Sequence, residues 1–268
     1  MRTRCGGFAR SVALLAGIAT SVTATAADLR GQAPAVAADP TAASASGWVF
    51  GVHSYTWATS VDGTFRTLPP GPAVKLHLGF SDVLDDLDGA LMVSAEARRD
   101  RLVLFSDLLL SRLSTGRSFT ARGYPGRVSL SSSSIVGLAA AGYRVVDRPD
   151  TTLDLLGGAR GFALSNTIEV AVAPHRLAYG KDRQWADAVV GARLTRMLTD
   201  RWSVTGMGFV GAGESRFEWD AFGGFGYRFG HGFTGFAGYR ALSVDYHRGT
   251  FVYDALQYGP IVGMRISF

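Results

Sequence analysis

From Trp48 to Phe268 apolar and polar residues alternate with a period of two. In the last segment Leu256, Tyr258, Pro260, Val262, Met264, Ile266 and Phe268 share one face, and Gln257, Gly259, Gly263, Arg265 and Ser267 share the other. The same alternation sets Phe217, Trp219, Ala221, Gly223, Phe225, Tyr227 and Phe229 against Glu218, Asp220, Phe222, Gly224, Gly226 and Arg228. It recurs at 185–198, where Ala186, Ala188, Val190, Ala192 and Leu194 oppose Asp187, Gly191 and Arg193, and at 153–164, where Leu153, Leu155, Gly157 and Ala159 oppose Asp154, Gly158 and Arg160. This spacing predicts antiparallel strands with one apolar face each, an all-β chain.

The predicted strands run to about ten residues or more, longer than the usual five or six. Short polar turns near 100, 148, 200 and 231 alternate with longer connections at 61–88, 114–127 and 165–183. Short turns on one rim and long loops on the other suit a transmembrane up-and-down barrel. Aromatics gather near strand ends: Tyr143, Trp202, Tyr227, Phe229 and Phe268 on the short-turn side, with Trp185 and Trp219 assigned to the other girdle. Eleven segments read as strands, and a barrel with both termini on one side needs an even number. The weakest is 72–80, before Ser81, which can cap a brief helix carrying Asp82, Asp85 and Asp86. Placing 61–88 outside the wall gives a barrel of about ten strands, with twelve as the alternative.

The ends of the chain refine this picture. Residues 1–26 read as a cleaved export signal: Arg2, Arg4 and Arg10, then the uncharged run Ser11 to Thr23, then Ala24-Thr25-Ala26. Residues 27–47, rich in Ala, Pro and Ser, read as a flexible lead-in to a barrel at 48–268. Removing the three arginines takes 27 basic residues to 24 against 22 acids, and the net charge from +5 to +2. That balance gives no case for nucleic-acid binding. The sole cysteine, Cys5, departs with the signal, so the remaining chain has neither a disulfide nor a cysteine metal site.

If the apolar parity faces lipid, the opposite parity lines the lumen. Glu96, Asp107, Asp154, Asp187, Glu218 and Asp220 fall there, with Arg98, Arg160, Arg193, Arg228, Arg240 and Arg265. A charge on the lipid face would cost about 2–4 kcal/mol at the midplane, which favours this assignment. Arginine in every basic position suits forked pairing with carboxylates in a confined space. Balanced charge predicts a salt-bridged lumen or a narrow small-solute passage. Inward Gly158, Gly191, Gly224, Gly226, Gly238, Gly259 and Gly263 leave space, permit tight strand bends or admit aromatic side chains crossing the lumen, and Pro260 predicts a bulge.

The stretches Ser54-Tyr55-Thr56-Trp57, Gly157-Gly158-Ala159-Arg160, Trp185-Ala186-Asp187, Val190-Gly191-Ala192-Arg193, Gly238-Tyr239-Arg240 and Gly259-Pro260, with the terminal Phe268, resemble a family of exported Gram-negative outer-membrane β-barrels, most of them uncharacterised. The resemblance spans about 48–268 and implies an outer-membrane location, a lipid surround and assembly by the barrel-assembly machinery. It also implies that this machinery reads the terminal strand, through Tyr258, Val262, Met264, Ile266 and Phe268. The chain departs from the pattern at Met207, where an acidic residue is expected.

Chemistry is sparsely signalled. Asp245-Tyr246-His247 with Asp86-Leu87-Asp88 matches an omptin-like protease in residue type, a His oriented by Asp opposite an acid pair. Ser131 to Ser134 has no nearby His to activate it. The five histidines lack ligand spacing, and Gly223-Gly224-Phe225-Gly226 lacks the context of a phosphate loop. The sequence therefore predicts no metal, no cofactor and no enzyme activity, with the protease as the alternative.

Overall fold

The computed structural model describes residues 47–66, 73–121, 124–172, 175–230 and 232–268. The export signal, the lead-in up to residue 46 and His231 lie outside the described residues. Twelve strands and one helix follow in order. They are β1 (Val49–Trp57), β2 (Ser60–Arg66), β3 (Val74–Leu78), α1 (Phe80–Asp85), β4 (Leu87–Arg99), β5 (Leu102–Ala121), β6 (Tyr124–Asp147), β7 (Thr151–Val172), β8 (His175–Met197), β9 (Trp202–Gly213), β10 (Phe217–Gly230), β11 (Phe233–Arg248) and β12 (Phe251–Ser267). Every pairing is antiparallel, and β1 closes on β12 from Gly51↔Ser267 to Trp57↔Ile261. Leaving out the β2–β3 hairpin, ten of the twelve strands form the closed ring. Closure removes the exposed edges that an open sheet would leave.

The expected alternation is present. Val262, Met264, Ile266 and Phe268 are exposed on the outward parity, as are Leu155, Val190, Leu194, Phe217 and Phe225, while Asp154, Arg160, Asp187, Arg193, Glu218 and Asp220 on the opposite parity are buried. Tyr143, Trp202, Phe229 and Phe268 form an exposed aromatic rim at the short-turn end. Trp185 departs from the girdle assigned to it. It is 3% exposed inside the barrel, because it shares the parity of Asp187 and Arg193.

The three long connections differ from simple loops. Residues 61–88 contain β2, β3 and α1, and the Gly79 N–H donates to Asp82 Oδ2 at 2.9 Å, so Gly79 and not Ser81 sits at the helix start. Residues 114–127 and 165–183 continue the ladders as tall hairpins, paired as far as Ala121↔Tyr124 and Val172↔His175. There the polarity inverts. Val128, Leu130, Ile168, Val170, Leu177 and Tyr179 continue the inward parity, and Ser129, Ser131, Thr167 and Glu169 continue the outward one. The apolar outward pattern that marks the strands lower down therefore ends along the hairpins while the backbone pairing continues.

Pro260 marks no register shift. The partner sums are unchanged on both sides of it, against β11 and against β1 with β2. The Ala58 N–H donates to the Pro260 carbonyl at 2.9 Å, and proline has no N–H to return. The β12 ladder therefore breaks between β1 and β2 without a bulge.

Candidate functional site

The inward charges form two networks across the lumen. In the first, Asp220 on β10 accepts Arg160 Nη2 from β7 at 2.7 Å and Arg240 Nη2 from β11 at 2.8 Å. Arg240 Nη2 also donates to Asp107 Oδ2 on β5 at 2.8 Å, and its Nη1 to the Tyr55 hydroxyl on β1 at 3.1 Å. Tyr55 in turn donates to Asp107 Oδ1 at 2.6 Å. In the second, Asp154 on β7 accepts Arg144 Nε from β6 at 2.7 Å and Arg193 Nη2 from β8 at 2.8 Å, and Arg193 reaches Glu96 on β4. Charge-assisted guanidinium–carboxylate hydrogen bonds of this kind are about twice as strong as neutral ones. A charge left unpartnered at this depth would be costly.

Two acids stand apart. Glu218 is 0% exposed, and its nearest cation is Arg160 Nη1 at 3.8 Å. Asp187 Oδ1 accepts the Ser215 N–H at 2.7 Å, while Asp187 Oδ2 and both Glu218 oxygens have no hydrogen-bond partner among the described residues.

On the long-hairpin side of these charges the lumen is aromatic. Trp185 stacks on Phe162 with centroids 4.9 Å apart and on Tyr246 at 4.2 Å, and Tyr253 closes in at 5.7 Å. Trp57, Leu242, Val244 and Phe251 are buried with them. Four of the inward glycines, Gly191, Gly224, Gly238 and Gly263, seat rings: a Cβ at Gly263 would lie 2.6 Å from Phe236 Cζ, and one at Gly224 would lie 2.8 Å from Phe222 Cζ. These four admit crossing side chains, whereas Gly158 and Gly259 lie against neighbouring backbone and Gly226 lies against Ser203 Oγ.

On the short-turn side the lumen opens into a cavity of about 400 Å³. Arg98, Arg228 and Arg265 line it with His53, Thr205 and Thr234, below the Glu96, Asp154 and Arg193 network. Nine of the twelve predicted lumen residues are thus buried in or beside the charge networks, and these three arginines lie at the mouth. The charge balance of the sequence holds for the lumen as a whole and fails at this end.

Sequence reasoning missed Arg144, Tyr55 and His53. The run Ile135 to Ala141 is apolar on both parities, and β6 shifts register between Arg144 and Val146, so parity was unreadable near Arg144. The protease residues separate into ordinary partnerships. His247 Nδ1 lies 3.5 Å from Asp245 Oδ1 and 3.1 Å from Arg216 Nη1, and Asp88 Oδ2 accepts the Ser114 hydroxyl at 2.6 Å. No hydrogen bond or ion pair joins the two pairs among the described residues. Ser134 and Ser131 bond Ser111 and Ser114 across β5, at 2.7 and 3.4 Å. Among the described residues no group of His, Cys, Asp and Glu could hold a metal ion.

The closed ring of antiparallel strands is similar to the outer-membrane protease OmpT from Escherichia coli, at 9% identity over 82% of this chain and 97% of that one, with a TM-score of 0.53. The fold is that of an outer-membrane β-barrel. The translocator domain of the autotransporter NalP from Neisseria meningitidis is also similar, at 14% identity over 83% of this chain and 88% of that one, with a TM-score of 0.49. No protein-family model and no curated protein matches the chain. At these identities the likeness concerns the barrel and not its chemistry.

Proposed function

We propose that the chain is an integral outer-membrane barrel, structural or at most a narrow small-solute channel, whose lumen is closed by paired charges and an aromatic plug. The observation that carries this reading is the link from Arg160 through Asp220 and Arg240 to Asp107, beside the Phe162, Trp185 and Tyr246 stack. Ions crossing the barrel would have to break several of these contacts. On this reading the exposed outward band meets lipid, the short turns face the periplasm, and the barrel-assembly machinery recognises the terminal strand. The protein would carry no chemistry of its own. The test is planar-bilayer recording on refolded protein. Little or no conductance is expected, and sizeable ion-selective steps would overturn the closed lumen. Peptide cleavage lost in His247→Ala would instead establish the protease reading.

A further inference from the structure

The short-turn mouth of the lumen is cationic in a way the rest of the lumen is not. Among the described residues Arg98 and Arg228 form no ion pair, and Arg265 Nη2 lies 3.9 Å from Glu96 Oε1, beyond hydrogen-bond reach. Arg265 Nε and His53 Nε2 are buried and have no hydrogen-bond partner among the described residues. Of the carboxylates lining the cavity, Glu96, Asp107 and Asp154 are committed to Arg193, Arg240 and Arg144, which leaves Asp150 as the unpaired acid. The register sets the groups side by side: Arg228 faces Thr234, Thr234 faces Arg265, Arg265 faces His53, and His53 faces Ser94. Strands about 4.8 Å apart put the backbones of Arg228 and Arg265 about 10 Å from each other, close enough for both guanidiniums to reach one small molecule. Gly51 makes room for this arrangement, since a Cβ there would lie 3.1 Å from Arg265 Nε.

We propose that this mouth binds a small polyanion carrying phosphate or carboxylate groups. Arg228, Arg265 and Arg98 would supply the forked donors, and Ser94, Thr205 and Thr234 the neutral ones. Guanidinium is the side chain suited to planar, two-point recognition of such oxyanions. A cavity of about 400 Å³ has the size of a small-molecule site. The charge networks and the aromatic plug form its floor, so the ligand enters and leaves by the same side.

The experiment is isothermal titration of the detergent-folded barrel with inorganic pyrophosphate, in buffer free of competing oxyanions. Wild type is expected to bind one equivalent saturably. Arg228→Gln and Arg265→Gln are each expected to lose about tenfold in affinity or more, while Lys181→Gln, far up β8, leaves it unchanged. Arg228 is exposed at the rim, so its variant keeps the test open should Arg265→Gln fold poorly, and heat-modifiable migration checks the fold of each. Absence of saturable binding to wild type would overturn the proposal, as would unchanged affinity in the Arg228→Gln, Arg265→Gln double variant. The site rests on the closed lumen and periplasmic orientation proposed above. Binding in detergent reads the mouth and not its orientation or conductance, so the two proposals fail separately.

Discussion

Arg240 on β11 and Asp107 on β5 meet across the lumen, Nη2 to Oδ2 at 2.8 Å, although 133 residues separate them in the chain. Three strands, β12, β1 and β4, lie between them in the wall. The contact therefore braces two distant parts of the ring. Asp220 extends the brace to β7 through Arg160.

Removing one member of this brace should cost far more than a surface substitution. Asp220→Asn leaves Arg160 and Arg240 short of a counter-charge inside the barrel, and about 3–5 kcal/mol of folding stability should be lost. Urea unfolding of the barrel in lipid vesicles measures this. A change below about 1 kcal/mol would mean that the pairing contributes little.

Glu218 should behave in the opposite sense. It is fully buried and neither of its oxygens has a hydrogen-bond partner among the described residues, so its charge carries a desolvation cost offset only by Arg160 at 3.8 Å. Glu218→Gln should therefore leave stability unchanged or raise it in the same unfolding assay. A loss comparable to that of Asp220→Asn would show that the Arg160 contact at 3.8 Å is worth more than its length suggests.

Trp185→Ala removes the central ring of the aromatic plug. It should destabilise the barrel by about 3–5 kcal/mol, the usual cost of an emptied aromatic site. It should also raise conductance above the wild-type level if the plug is the upper barrier. Destabilised protein with no gain in conductance would assign the barrier to the charge networks alone.

Phe268 completes the outward apolar row of β12 and stacks on Phe50 at 6.0 Å, while its N–H and C=O bond Phe50. Deleting it should remove the last closure contacts and impair assembly in cells, read as lost heat-modifiable migration of the membrane fraction. Normal migration would show that β1 and β12 close without it.

Outside the lumen, Glu169 and Arg176 pair on the outer face of the β7–β8 hairpin. The Arg176 guanidinium, hydrogen-bonded to Glu169, holds its carboxyl below the ordinary value of 4.5. With the folded value depressed, the contact is fully present above pH 4.5 and is lost as pH falls through the lower, folded value. Side-chain NMR should show Glu169 titrating below 4.5 in wild type and returning towards it in Arg176→Gln.

The alternation of Leu256 to Phe268 and of Phe217 to Phe229 determined by itself that these segments are strands with one apolar face, and their length and the asymmetry of the connections pointed from there to a barrel. The reason is that side chains on a strand must point to alternate faces, and a lipid-facing strand leaves that record residue by residue. The same parity marked Asp107, Asp154, Arg160, Arg193, Asp220 and Arg240 as inward. What only the tertiary structure decided was which of them meet. Arg193 reaches both the adjacent strand at Asp154 and the far wall at Glu96, and Arg240 passes over Tyr55 to Asp107. The parity that Trp185 shares with Asp187 and Arg193 already pointed inward, against its assignment to a girdle by residue type, whereas the tall hairpins could not be read as strands where the polarity inverts. Parity is a local property of the backbone. Pairing across a lumen depends on strand order, stagger and closure, which no single strand carries.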